Sequence, residues 1–197
     1  MSGPILPFRP IKARAAPGAA EAPLSAAEQE RFRSLVLPHL DSAYNFARFL
    51  CRDGPAAEDI VHDAFLRAWR GFPGFRGDHP KAWLFAIIRN LVFSSAHADK
   101  IRAAVFAPES AGEAAAAEGP GPEALVIQSS EVQTVRRAIE ALPEPFRETL
   151  VLRDLEELSY REVADVTRVP IGTVMSRLSR ARQMLAAALA GHEEVRA

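Results

Sequence analysis

Apolar residues recur every three or four positions along most of the chain, the spacing of one helix face. Ser25-x-x-Glu28 is a capping-box signature, and the helical pattern after it runs to about Cys51 through Phe32, Leu35, Val36, Leu40, Tyr44 and Leu50. Pro38 is expected to kink or split that helix, because proline lacks the backbone donor and clashes with the preceding turn. Asp53-Gly54-Pro55 reads as a turn and a helix start. The next helix carries Ile60, Ala64, Phe65, Ala68 and Trp69 on one face and stops at Gly71-Phe72-Pro73-Gly74. Phe75 to Pro80 is a loop, with Asp78 expected to cap a third helix and Pro80 in its first turn. That helix places Trp83, Ile87 and Leu91 on one stripe, and Trp83 is expected to pack against Trp69.

The pattern then breaks. Val105 to Ser130 is rich in Ala, Gly, Pro and Glu, with four acids and no base. Such a segment buries little apolar surface and reads as a flexible acidic linker. Beyond it the helical spacing resumes with Val132, Val135, Ile139 and Leu142, then Phe146, Leu150, Val151 and Leu155, divided by Pro143 and Pro145. The expected fold is all-α: two small helical domains, 25–104 and 129–190, joined by a linker at 105–128. A mildly basic arm at 1–24 and a short tail at 191–197 flank them.

Ser159-Tyr160-Arg161-Glu162 is a second capping box and starts a short helix, with Val163, Ala164 and Val166 facing inward. Thr167-Arg168-Val169 is the turn, and Pro170 suits the first turn of a last helix. In that helix Ile171, Val174, Leu178, Ala181, Leu185 and Ala188 form the expected buried stripe. Thr173, Ser176, Arg177 and Arg180 share another side. The formal net charge is −1, so global electrostatics say nothing about nucleic acid. Yet Pro170 to Ala190 holds Arg177, Arg180 and Arg182 and no acid. A basic helix held by a short helix across it is a helix-turn-helix, which enters the major groove of DNA.

Other classes find little support. The five histidines, among them His39, His62, His79 and His97, show no metal-ligand spacing, so no metal and no cofactor are expected. There is no phosphate-cradling glycine loop and no nucleophile constellation, so no enzyme is expected. One cysteine, Cys51, excludes an internal disulfide. No apolar run approaches the ~20 residues that span a membrane, and the N-terminus lacks a signal-peptide core. A cytoplasmic protein without membrane insertion is expected.

Two further motifs join the helix-turn-helix. Leu158-Ser-Tyr-Arg-Glu-Val-Ala-Asp-Val166 and Val169-Pro-Ile-Gly-Thr-Val-Met-Ser-Arg-Leu-Ser-Arg-Ala-Arg182 resemble the C-terminal DNA-binding domain of extracytoplasmic-function (ECF) sigma factors of the sigma-70 family. Ala57-Glu-Asp-Ile-Val-His-Asp-Ala-Phe-Leu-Arg-Ala-Trp69 resembles that family's polymerase-binding helix. Phe75-Arg-Gly-Asp78 with Ala82-Trp-Leu-Phe-Ala-Ile-Ile-Arg-Asn90 resembles its promoter-melting segment. The resemblance covers about 30–100 and 130–190.

The resemblance implies a factor that binds core RNA polymerase and directs it to promoters. Asp59, His62 and Asp63 would dock on the β′ clamp helices, and the second domain would sit at the β flap. Gly71, Phe75, Ile87 and Asn90 would form the pocket that captures a flipped base at the −10 element, with Arg76, Lys81 and Arg89 as phosphate contacts. Phe75 and Ile87 serve equally well as core residues. Arg161, Thr173, Ser176, Arg177, Arg180 and Arg182 would read the −35 element. An anti-sigma factor is a further expected partner. The linker would thread the polymerase channel used by RNA, or serve as a plain tether.

Three departures stand out. His62 occupies a position where the family often has glutamine. Val92-Phe-Ser-Ser-Ala-His-Ala-Asp-Lys100 replaces an arginine-rich run, which lowers non-specific DNA affinity. Met175 stands where some relatives have arginine. The alternative readings are a sigma-like decoy that binds an anti-sigma factor, motivated by that thinned basic run, and a stand-alone helix-turn-helix repressor.

Overall fold

The computed structural model describes residues 24–106 and 130–194, and every regular element among them is helical. The arm, the linker core at 107–129 and the last three residues lie outside the described residues.

Helix α1 (Ala26–Leu35) starts at the expected capping box. The Glu28 carboxylate accepts from the Ser25 amide at 3.0 Å, and the Ser25 hydroxyl accepts from the Glu28 amide at 3.3 Å. Pro38 does split the pattern: a single 3-10 turn, Leu37–His39, separates α1 from α2 (Leu40–Cys51). Arg52 ends α2 in the left-handed region at φ 60°. Asp53 then caps α3 (Gly54–Gly71), accepting from the Ala56 amide at 2.7 Å. A 3-10 turn at Phe72–Gly74 follows.

Helix α4 spans Pro80–Phe106, two residues past the boundary expected for the first domain. The Trp83 amide donates to the His79 carbonyl at 3.1 Å. His79, rather than Asp78, therefore stands at the start of α4: the proline ring at Pro80 begins the helix one residue after His79.

The first core lies where α2, α3 and α4 meet. Ala43, Ala47, Ala57, Ala64 and Ala68 are fully buried, and small side chains let these helices approach closely. Phe46 stacks on Phe85 with centroids 4.8 Å apart. The expected Trp83–Trp69 pairing is corrected. Trp69 meets Phe32 edge-on at 5.0 Å, whereas Trp83 packs on Phe75 at 4.8 Å. The loop after α3 folds Phe72 and Phe75 in between and supplies Trp83 with its partners.

The second domain comprises α5 (Ser130–Ala141), α6 (Glu144–Leu150), α7 (Tyr160–Thr167) and α8 (Ile171–Glu194). A single π turn at Val151–Leu155 extends α6. Buried Arg147 donates to the carbonyls of Glu140 and Leu142 at 3.3 and 2.7 Å, satisfying acceptors that the end of α5 leaves open. The core gathers Leu150, Val151, Leu152, Val163, Val166, Val174, Leu178 and Ala181. Two members of the expected α8 stripe do not join it. Ile171, the first residue of α8, and Ala188, near its far end, are both exposed. Pro170 precedes α8, its carbonyl accepting the Thr173 and Val174 amides at 2.8 and 3.1 Å.

The α7 capping box generates a prediction. Ser159→Ala should cost about 1 kcal/mol of unfolding free energy, as N-caps typically do. Burial alone would raise the Glu162 carboxyl, but its hydrogen bonds with Ser159 and the nearby charges of His79 and Lys81 together outweigh burial and hold it below the ordinary 4.5. Its folded-state value is depressed, so its contribution is present above pH 4.5 and fades as pH falls through the folded value. Urea titrations of wild type and Glu162→Ala at several pH values should therefore converge in acid.

Candidate nucleic-acid interface

The helix-turn-helix is built locally. Its first helix is closed by Arg168, left-handed at φ 57°, and the Val169 amide donates to the Ala164 carbonyl at 3.2 Å. The Thr167 hydroxyl caps inward on the Val163 carbonyl at 2.6 Å. This tight return lets α7 lie across α8 and leaves one α8 face outward. Ser176 and Arg180 are exposed on that face, and Met175 is exposed beside Ser176. Thr173 and Arg177 are half-buried. The Arg177 charge is close enough to stabilise the Glu148 carboxylate, so this arginine faces partly inward. Arg182 forms a bidentate pair with Asp154 at 2.9 and 2.7 Å. Arg161 is exposed on α7.

A second cluster forms in the first domain. Phe75, Trp83, Ile87 and Asn90 line a cavity of about 870 Å³. Phe75 and Ile87 are each 7% exposed, so both pack in the core and present an edge to the cavity. Gly77 makes this possible: a Cβ there would lie 3.2 Å from the Phe75 ring. Gly71 is not part of the wall but sits behind it, in ordinary contact distance of Trp83. Arg76 curls back onto its own loop, donating to the Pro73 and Phe75 carbonyls. Trp83 and Gly77 are the site residues that the sequence alone does not single out. Trp83 shares the stripe of Ile87, and only its partner across the loop shows that it borders the cavity.

A third face belongs to α3. Asp59, His62 and Asp63 are all exposed and lie within one turn of each other. Leu66, 41% exposed, continues the same side.

The two domains touch. Helix α7 packs across α4, and α6 lies against α2. The far wall of the cavity comes from α7, through Arg161, Ala164, Asp165 and Arg168. Lys81 pairs with Glu156 at 2.9 Å and also donates to its carbonyl at 2.8 Å. Arg89 pairs with Glu148 while its guanidinium covers Phe93, and His79 meets Glu162 at 3.0 Å. Burial pushes the Glu148 carboxyl above its ordinary range, and Arg89 offsets this only in part. Among the described residues no cluster of His, Cys, Asp or Glu is arranged to hold a metal ion. No described helix is long and apolar enough to cross a membrane.

The chain matches two family models, "Sigma-70 region 2" over residues 35–99 and "Sigma-70, region 4" over 133–185. It is 35% identical over 171 residues to the ECF RNA polymerase sigma-E factor of Escherichia coli K12, covering 80% of this chain and 86% of that protein. It is 32% identical over 169 residues to the RNA polymerase sigma-H factor of Pseudomonas aeruginosa, covering 82% and 88%. Among solved structures it is similar to the sigma factor RpoE of Bartonella quintana in complex with the anti-sigma factor NepR, with TM-score 0.69, 29% identity and coverage of 82% and 98%. It is also similar to CnrH in complex with the cytosolic domain of CnrY, with TM-score 0.57, 25% identity and coverage of 83% and 90%.

The Arg182–Asp154 pair generates a prediction. Both partners are well exposed, at 54% and 30%, and exposed pairs contribute about 0–1 kcal/mol. Asp154→Ala should therefore shift the thermal midpoint little. A loss of several degrees in calorimetry would make the pair a structural element rather than a surface one.

Proposed function

The chain is an ECF sigma factor of the sigma-70 family, and from that premise we propose which of its surfaces do the work. It is a promoter-recognising initiation factor that acts with RNA polymerase in the cytoplasm, and it carries no chemistry of its own. The observation that carries the reading is the presence, on one chain and in family order, of an acidic α3 face, an Asn90 pocket and a basic α8 face.

Asp59, His62 and Asp63 dock on a basic surface of core polymerase. Their exposure within one turn supports this, since complementary charge steers and orients such contacts. Asn90 reads a base displaced from the −10 element. An amide both donates and accepts toward a base edge, and the apolar walls of Phe75, Trp83 and Ile87 suit a flat ring. Arg89 and Lys81 hold the adjoining phosphates, and Arg76 reaches them by leaving its loop carbonyls. On α8, exposed Ser176 and Arg180 read the −35 element, with Thr173 and Arg177 at their flank. Arg180 has the length and planarity for a guanine edge. Arg161 and Arg182 contact backbone phosphates. An anti-sigma factor is a further partner, in keeping with the two complexes to which the fold is similar.

Purified core polymerase plus this chain should yield discrete run-off transcripts on sheared genomic DNA. Complete absence of transcripts would favour titration of an anti-sigma factor instead. Asp59→Arg should abolish co-purification with core polymerase and leave the fold intact by circular dichroism. Arg180→Ala should weaken promoter binding by about 1–3 kcal/mol in a fluorescence titration; an unchanged affinity removes that residue from the interface.

A further inference from the structure

The most exposed large apolar side chain among the described residues is Met175, at 52%. It stands on α8 beside Ser176, outside the buried stripe of Val174, Leu178 and Ala181 that holds the helix to its domain. Ile171, 42% exposed, precedes it by one turn, and residues four apart are neighbours on a helix surface. A single exposed apolar residue is ordinary. Two together, at the leading end of a recognition helix, are not. Both fall in the first turns of α8, and the N-terminal residues of such a helix are those that reach base edges. Between them a Cβ on Gly172 would meet nothing within 4 Å. The fold therefore does not call for glycine there, whereas a bare backbone lets the first turn of α8 sit close against DNA.

The chemistry of the side chain narrows what it can read. Methionine has no donor and only a weakly accepting sulfur. Against the polar edge of guanine, adenine or cytosine it would strip donors and acceptors of water and return no hydrogen bond. The apolar feature on a major-groove edge is the C5 methyl of thymine, and an unbranched, polarisable chain adapts its shape to it. Arg180 cannot share that base: it lies roughly 140° further round the helix axis at 3.6 residues per turn. We infer that Met175, backed by Ile171, reads a thymine methyl in the −35 element and is a specificity-determining residue of α8. The inference rests on the reading of α8 as the −35 face.

The test uses holoenzyme, core polymerase with the full chain, on a promoter that it transcribes. Each thymine of the protected −35 segment, on either strand, is replaced singly by deoxyuridine, which removes only the methyl group. Anisotropy titrations should find a replacement that weakens wild-type binding about fourfold, the loss expected when one methyl group stays in water. Met175→Ala should weaken binding to the parent promoter and lose its sensitivity to that same replacement, since two changes that delete one contact are not additive. Its thermal midpoint should stay near that of wild type, as for other exposed side chains. A −35 segment without a sensitive thymine, a sensitivity that Met175→Ala retains, or a midpoint that falls with the affinity overturns the inference. Arg180→Ala separates it from the reading beneath it. If both variants leave promoter affinity unchanged, α8 is not the DNA face; a loss with Arg180→Ala alone overturns only the role of Met175.

Discussion

A carboxylate held between two helical domains must be met by a cation, and Glu148 is met by Arg89. That pairing organises the seam. It anchors α6 to α4, and Lys81–Glu156 and His79–Glu162 extend it along the start of the same helix. Arg52 adds a long hydrogen bond to the Leu142 carbonyl, and Arg136 lies over the Phe49 ring. Apolar packing runs on beneath these pairs: buried residues of both domains, from Phe32 to Leu91 and from Ile139 to Ala181, belong to one continuous core.

The three separate faces suit a factor whose contacts are made in company. Neither the α8 face nor the Asn90 pocket has to bind tightly alone. On the proposed reading, docking of the α3 face on polymerase makes each DNA contact effectively intramolecular. A chain with formal net charge −1 and no arginine run after Asn90 has little non-specific affinity to hold it on DNA by itself. Specific contacts and polymerase supply the rest.

What the sequence reveals is what is local. Both capping boxes, the proline break at Pro38, the stop after Gly71 and the helix-turn-helix depend on residues within a few positions, so they are legible and the structure has them. The exposed α3 face follows from helical spacing alone. What is not legible depends on distant partners. Trp69 meets Phe32 and Trp83 meets Phe75 because the loop between α3 and α4 folds inward, which no periodicity encodes. The apolar stripe of α8 predicts burial for Ile171 and Ala188, but burial also needs a neighbour, and α8 is longer than the helices it packs on. The pairing of Lys81 and Arg89 with acids of the second domain lies entirely in the tertiary fold.

On the proposed reading, one polymerase-bound chain reads DNA at two separated places and melts only one of them. The most direct measurement is footprinting of the open complex on a promoter that the factor transcribes, with permanganate probing of unpaired thymines. Two protected patches should appear, with reactive thymines confined to the downstream one and their reactivity lost in Asn90→Ala. A single protected patch, or reactivity unaffected by Asn90→Ala, would contradict the account.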